Sequence, residues 1–187
     1  IFHGRDEETN EILDLLNEGE KRGSAFVLIV GPSGSGKSSL AKAGVAASLV
    51  ARSLDESIKE WRAAVFRPLH AGGDLLKGLA KSLADAVPEI HEGPGGFDRF
   101  VERLGTNREA AGDLWEIALN AASRNLGGRL KLLLLEDQAE ELWSGDEKIT
   151  DQIGPFSEAV GILVKGGFLS VVATLRSDFY SHFQKCA

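Results

Sequence analysis

The stretch that decides the fold is Phe26-Val27-Leu28-Ile29-Val30-Gly31-Pro32-Ser33-Gly34-Ser35-Gly36-Lys37-Ser38. The apolar run at residues 25–30 predicts a buried strand. Residues 31–38 fit the pattern G-x-x-x-x-G-K-[ST], whose glycines let backbone N–H groups turn inward around phosphate oxygens. Apolar residues then recur at helical spacing, at Leu40, Ala43, Ala47 and Val50. A strand, a glycine-rich loop and a helix in this order predict a phosphate-binding loop.

Two side chains of this loop have specific expected tasks. Lys37 lies where its ammonium can reach the β- and γ-phosphates of a nucleotide, and the Ser38 hydroxyl is placed to bind Mg²⁺. The helix that follows directs the positive end of its dipole at the same negative charge. The predicted nucleotide contacts in this segment are Gly31, Pro32, Ser33, Gly34, Ser35, Gly36, Lys37, Ser38 and Ser39.

The composition predicts a single α/β domain, because 187 residues with 43% hydrophobic content can bury a substantial core. The formal net charge is −7, and Lys and Arg are not clustered, which argues against a nucleic-acid-binding surface. No apolar run approaches about 18 residues, and no secretory leader is visible. With a single cysteine, Cys186, these features predict a cytoplasmic protein. The absence of methionine and the opening at Ile1 predict a fragment of a longer chain.

Short apolar runs alternate with helical periodicity along the chain. An acidic turn at residues 6–8 predicts a helix ending near Gly19, so that residues 1–24 hold an N-terminal motif and one helix. Further strands are predicted at 63–67, 132–135 and 168–175, and a loop at 88–96. The predicted helical faces are Leu75, Leu76, Leu79 and Leu83; Phe97, Phe100, Val101 and Leu104; Leu114, Ile117, Ala118 and Ala121; and Phe156, Ala159, Val160 and Leu163. This alternation predicts a parallel sheet with helices on both faces and a ligand at the carboxyl ends of the strands.

Four carboxylates follow the apolar run at 132–135. Mg²⁺ is a hard ion that prefers carboxylate oxygen, and we expect Asp137 to bind it. Either Glu140 or Glu141 is then expected to position or deprotonate the attacking water. Glu136 is expected only to cap and solvate the following helix.

The last predicted strand ends on Thr174-Leu175-Arg176. If it lies beside the strand that precedes the glycine-rich loop, Arg176 is within reach of a γ-phosphate. Its guanidinium would there sense or stabilise the charge of the transferring group.

These segments together resemble the nucleotide-binding domain of STAND proteins, in the AAA-like branch of P-loop NTPases, and in particular the novel-STAND group. Residues 2–8 resemble an F-x-G-R-x-x-E motif that contacts the base end of the nucleotide, which adds Gly4 and Arg5 to the expected contacts. Residues 132–142 are similar to an apolar run followed by D-Q-F-E-E-L, with Ala139 in place of the large apolar residue. Residues 174–180 resemble T-L-R-A-D-F-Y.

The resemblance implies a three-layer α/β/α domain with strand order 5-1-4-3-2, whose fifth strand and helical lid lie outside this chain. It also implies an ATP- and Mg²⁺-dependent molecular switch of slow turnover. The nucleotide state would control self-association in the full-length protein, with effector and sensor domains outside residues 1–187 and a role in signalling, including defence.

Two alternatives remain open at the level of sequence. One is a phosphotransferase similar to nucleoside-monophosphate kinases, although no acceptor site with a lid of arginines is recognisable. The other is a scaffold that binds nucleotide without hydrolysing it. The transporter signature L-S-G-G-Q and the guanine motif N-K-x-D are both absent from the sequence, so adenine is favoured by elimination.

Overall fold

The structure, a computed structural model, describes residues 5–51, 58–143, 145, 147–167 and 169–185. The predicted contact Gly4, the first residue of the predicted strand at 168–175, and Cys186 lie outside these ranges.

A parallel sheet forms the centre of the described structure. Its strands are β1 (Phe26–Gly31), β2 (Ile58–Phe66), β3 (Arg129–Glu136) and β4 (Leu169–Arg176). Their order is β1-β4-β3-β2, and each neighbouring pair is parallel. The predicted 1-4-3-2 arrangement is therefore confirmed. The register pairs Gly31 with Arg176, and Glu136 with Ala173, so the carboxyl ends of β1, β4 and β3 share one edge.

Helices cover both faces of the sheet. They are α1 (Asp6–Lys21), α2 (Lys37–Ser39), α3 (Ala47–Ala51), α4 (Leu75–Ala86), α5 (Gly96–Thr106), α6 (Arg108–Leu126), α7 (Glu147–Thr150), α8 (Ile153–Lys165) and α9 (Tyr180–Phe183). A π-helical segment, Leu40–Ala46, joins α2 to α3. Short 3₁₀ turns occupy Pro68–Ala71, Pro88–Ile90, Ala139–Trp143 and Ser177–Phe179.

The alternation of side chains along β3 divides the core into two layers. Leu132 and Leu134 pack with α4, α5, α6 and α8 on one face of the sheet. Leu133 and Leu135 pack with α1 and the helical run behind the glycine-rich loop on the other face. Because successive residues of a strand point to opposite faces, a strand that is buried on both sides reads as an unbroken apolar run. The three-layer α/β/α fold is confirmed.

The predicted burial of β1 and of one helical face differs from the structure. β1 was expected to be buried, but Phe26 and Val30 are 38% and 42% exposed, because no described strand pairs with the free side of β1. On α6 the buried face carries Trp115 and Leu119, whereas Ile117 is exposed. The Trp115 ring stacks on Phe100 of α5 at 6.3 Å between centroids, and burying this large aromatic surface sets the rotation of the helix.

The first helix lies directly against the backbone of the π-helical segment. Thr9 is buried, and a Cβ atom added to Gly44 would lie only 2.6 Å from Thr9 Oγ1. Thr9 Oγ1 donates a hydrogen bond to the carbonyl of Arg5 at 2.9 Å, which fixes the hydroxyl in this place. Only glycine allows so close an approach.

Candidate functional site

The glycine-rich loop follows the carboxyl end of β1. Gly34 and Gly36 have φ values of 75° and 80°, in the left-handed region where a side chain is strained. Lys37 folds back over the loop, and its Nζ donates to the carbonyls of Gly31 and Pro32 at 2.9 and 2.8 Å. The ammonium thus lies over the backbone that the sequence predicts to surround phosphate.

Asp137 joins the loop to the centre of the sheet. Its Oδ1 accepts hydrogen bonds from Ser38 Oγ at 2.5 Å and from Thr174 Oγ1 at 3.0 Å. Its Oδ2 is bound by Lys42 Nζ at 2.5 Å. Burial opposes ionisation of this carboxyl, but the hydrogen bonds from Lys42, Ser38 and Thr174 outweigh it and hold the pKa of Asp137 below its ordinary value. Asp137 is therefore a buried, ionised carboxylate.

The donor set around Asp137 fits Mg²⁺. The Ser38 hydroxyl and the Asp137 carboxylate converge at the loop, and both are hard oxygen ligands. Among the described residues, no group of three or more His, Cys, Asp or Glu side chains is arranged to hold a metal by itself.

Glu140 and Glu141 point to different surroundings. Glu140 lines the cavity beside the loop, and its Oε2 accepts a hydrogen bond from the backbone N–H of Arg176 at 3.2 Å. Glu141 is buried, and its Oε1 accepts from Arg67 Nε at 2.7 Å and Nη2 at 2.5 Å. The backbone N–H of Leu69 donates to the other oxygen at 3.0 Å. Glu140 therefore lies beside the loop, whereas Glu141 is bound by residues that follow β2.

Glu136 does not cap or solvate a helix, and that expectation is wrong. Its side chain is buried, and desolvation raises the pKa of its carboxyl to about 7. Glu136 lines a cavity of about 450 Å³ bounded by apolar side chains that include Phe26, Phe156 and Phe183. This cavity is larger than the one beside the glycine-rich loop, but none of the glycine-rich loop lines it.

Arg176 stands at the end of β4, next to the end of β1. Its guanidinium forms a bidentate pair with Asp178, with Nε to Oδ1 at 3.1 Å and Nη2 to Oδ2 at 2.6 Å. It also lies over the Phe179 ring, 5.4 Å from the centroid. The arginine lines the cavity of the loop while its charge is directed to its own carboxylate partner.

Arg5 contacts the loop itself. Its Nη1 donates to the carbonyl of Ser35 at 3.0 Å, and its Nε pairs with Glu8 at 3.0 Å. A Cβ atom on Gly36 would lie 3.3 Å from Arg5 Nη1. Arg5 thus supports the loop from outside.

A cavity of about 350 Å³ brings most of the predicted residues together. Those that line it are Ser33, Gly34, Gly36, Lys37, Ser38, Ser39, Glu140 and Arg176. Thr174 and Gln138 also line it and were not predicted. Gln138 has a φ of 60°, and its N–H donates to Thr174 Oγ1 at 2.9 Å. Among the described residues it is the only non-glycine with positive φ, a strain that is common at functional sites.

Lys42 was missed as well, although a signal was present. It follows Ser38 by four residues on a predicted helix, a spacing that places two side chains on one side. A basic residue four positions after the expected Mg²⁺ ligand Ser38 could have been predicted to contact the carboxylate of Asp137.

Comparison with solved structures shows the same fold elsewhere. The chain is similar to the ORC2 protein of Aeropyrum pernix, solved as ADPNP-ADP complexes, with a TM-score of 0.58 and 16% sequence identity. The likeness covers 94% of this chain but only 42% of that protein's chain. No curated protein matches the sequence significantly. No helix in the described parts of the chain is long and apolar enough to cross a membrane.

A sequence model of a known protein family also matches this chain. The sequence model described as Novel STAND NTPase 1 matches residues 1–187, the full length of the sequence. It spans the glycine-rich loop, the turn after β3 that carries Gln138 and Glu140, and the end of β4, which together line one cavity. This chain is therefore a nucleotide-binding domain of the novel STAND NTPase family.

Proposed function

We propose that this domain binds ATP with Mg²⁺ and hydrolyses it slowly. The observation that carries the proposal is the meeting of Ser38, Thr174 and the ionised Asp137 at the glycine-rich loop. A nucleoside triphosphate with Mg²⁺ requires a backbone that binds phosphate and nearby oxygen ligands for the metal, here the Ser38 hydroxyl and the Asp137 carboxylate. The ADPNP-ADP complexes of the similar ORC2 protein support adenine, as does the absence of N-K-x-D from this sequence.

The loop residues divide the work of binding. The backbone N–H groups of residues 33–39 surround the phosphates, and Lys37 exchanges the carbonyls of Gly31 and Pro32 for phosphate oxygens. Ser38 and Asp137 would hold Mg²⁺, which when bound neutralises charge on the phosphates. Arg5 keeps the loop in shape through its hydrogen bond to Ser35.

Two residues of the cavity are proposed to act on the γ-phosphate and its attacking water. Glu140 orients or deprotonates the water, because its carboxylate lines the cavity whereas Glu141 is bound by Arg67. Arg176 releases Asp178 and binds the γ-phosphate, where a permanent positive charge stabilises the transferring group.

In the full-length protein we propose that this site acts as a switch. Binding of ATP moves Arg176 and the backbone around Glu140, and the nucleotide state thereby controls self-association. Membership of the STAND family supports a cytoplasmic signalling role, with effector and sensor domains outside residues 1–187.

A nucleotide-locked scaffold is the second candidate. Arg176 is paired with Asp178, and Glu140 accepts a hydrogen bond from the Arg176 backbone, so both groups proposed for hydrolysis are engaged by the protein. Such a protein would retain ATP without converting it.

Titration calorimetry with ATP and Mg²⁺ tests the binding proposal. Lys37→Ala is expected to abolish binding, because no other ammonium replaces that charge within the loop, whereas Lys77→Ala on the exposed side of α4 should bind like the wild type. Equal binding by Lys37→Ala would refute the site. Analysis of the bound nucleotide after one hour then separates the candidates, since a switch accumulates ADP and a scaffold retains ATP.

A further inference from the structure

The two oxygens of Asp137 have different partners. Oδ1 accepts from the hydroxyls of Ser38 and Thr174, while Oδ2 is bound by the ammonium of Lys42 at 2.5 Å. The carboxylate is almost fully buried, with 6% of its side chain exposed, whereas 46% of the Lys42 side chain is exposed. The ammonium therefore reaches the carboxylate from the solvent side.

The hydroxyl partners and the ammonium partner differ in whether they can offer a lone pair to a metal ion. A hydroxyl can donate or accept, so Ser38 and Thr174 can turn a lone pair toward a cation that approaches Oδ1. An ammonium has donors only and cannot turn an acceptor toward a cation, so Oδ2 stays occupied as long as Lys42 remains in place. The carboxylate is thereby oriented with one specified oxygen toward the loop.

We propose that Lys42 is a positioning residue for the divalent ion, fixing the rotamer of Asp137 so that Oδ1 faces the Ser38 hydroxyl. This inference rests on the proposed nucleotide function and extends it by one residue. An ammonium has no lone pair to offer a metal, so in this proposal Lys42 acts through its contact with Asp137.

The test separates nucleotide affinity from metal affinity. Fluorescent ATP is titrated into the wild type, Lys42→Met and Lys42→Arg, first in EDTA and then at saturating nucleotide with increasing Mg²⁺. Lys42→Met should bind ATP in EDTA within about twofold of the wild type. Its Mg²⁺ midpoint should rise roughly tenfold, the loss typical of removing a partner that orients a metal ligand. Lys42→Arg retains a cation with hydrogen-bond donors, so its Mg²⁺ midpoint should lie between those of the wild type and Lys42→Met.

Each result has a distinct meaning. An unchanged Mg²⁺ midpoint in Lys42→Met, or a lower one, would overturn the inference, the lower value showing that Lys42 competes with the metal. Equal loss of affinity with and without Mg²⁺ would also overturn it, because a general structural role affects both conditions. If Lys42→Met does not fold, Lys42→Ala replaces it, and an unchanged Mg²⁺ midpoint in Lys42→Ala is then the contradicting result. Failure of the wild type to bind ATP would refute the proposed function instead.

Discussion

Arg67 donates two hydrogen bonds to a single oxygen of Glu141, from Nε at 2.7 Å and Nη2 at 2.5 Å. The pair connects the residue after β2 with the 3₁₀ turn after β3, and the Glu141 carboxylate is buried. It is a contact between the ends of two neighbouring strands, β2 and β3.

The first prediction contrasts Glu141→Gln with Glu140→Gln. Glu141→Gln removes a charged, buried hydrogen-bond acceptor, so its free energy of unfolding should fall by about 2 kcal/mol. Glu140→Gln should retain wild-type stability and ATP binding but slow single-turnover hydrolysis by at least about tenfold. Urea unfolding and rapid-quench measurements check the two variants. Slower hydrolysis in Glu141→Gln with unchanged stability would reverse the assignment.

The second prediction concerns the backbone of the loop. Gly36→Ala places a side chain at a φ of 80° and within 3.3 Å of Arg5 Nη1, so it should cost about 1–2 kcal/mol and weaken ATP binding. Gly105→Ala is the matched control, because Gly105 lies in α5 with nothing within 4 Å of an added Cβ. It should stabilise the protein by up to about 1 kcal/mol and leave binding unchanged. Thermal unfolding and calorimetry measure both effects.

The sheet and the positions of the loop, Asp137 and Arg176 could be predicted from sequence, because glycine spacing and apolar runs are local patterns that the fold preserves. The glycine spacing at residues 31–38 and the apolar strands specify which residues end at one edge of the sheet, and Asp137 and Arg176 both lie there. Periodicity alone could not predict the rotation of α6, since that depends on where the Trp115 ring fits against α5.

The side-chain directions in the acidic cluster were hard to predict for a similar reason. Sequence distance does not tell which of several adjacent carboxylates points into a cavity, because each step along a strand end or turn changes the side-chain direction. Glu136 is buried beside α8, where it lines a cavity with Phe156, and Glu141 meets Arg67, which is distant in sequence. Gln138 and Lys42 contact residues that are distant in sequence, Thr174 and Asp137, and only the spacing of Lys42 from Ser38 gave a signal in the sequence.

The third prediction tests whether Asp178 restrains Arg176. The pair is exposed, so its contribution is small, about 0.2–1 kcal/mol. Asp178→Asn removes this competition and should raise the preference for ATP over ADP by up to about fivefold. Asp151→Asn, an exposed substitution after α7, serves as the control. Competition binding of ATP and ADP gives the ratio, and an unchanged ratio in Asp178→Asn would exclude the restraint.

The fourth prediction concerns Glu136 and pH. Burial raises the pKa of its carboxyl from 4.5 to about 7, so the folded chain retains a proton that the unfolded chain releases in this interval. This contribution to stability is fully present below pH 4.5 and is lost as the pH rises through about 7. Glu136→Gln should therefore be more stable than the wild type at pH 8 by up to about 3 kcal/mol, with the difference shrinking toward pH 4.5. Urea unfolding at several pH values measures it, and a constant difference would contradict the assignment.

The contact between Thr9 and Gly44 has a mechanical consequence. Tilting α1 would press Thr9 into the glycine backbone or pull Arg5 from the Ser35 carbonyl, because both contacts involve main-chain atoms of the phosphate-binding region. The first helix and the loop must therefore move together. A probe on the solvent-facing side of α1, at Glu7 or Glu11, should thus report nucleotide binding from outside the cavity.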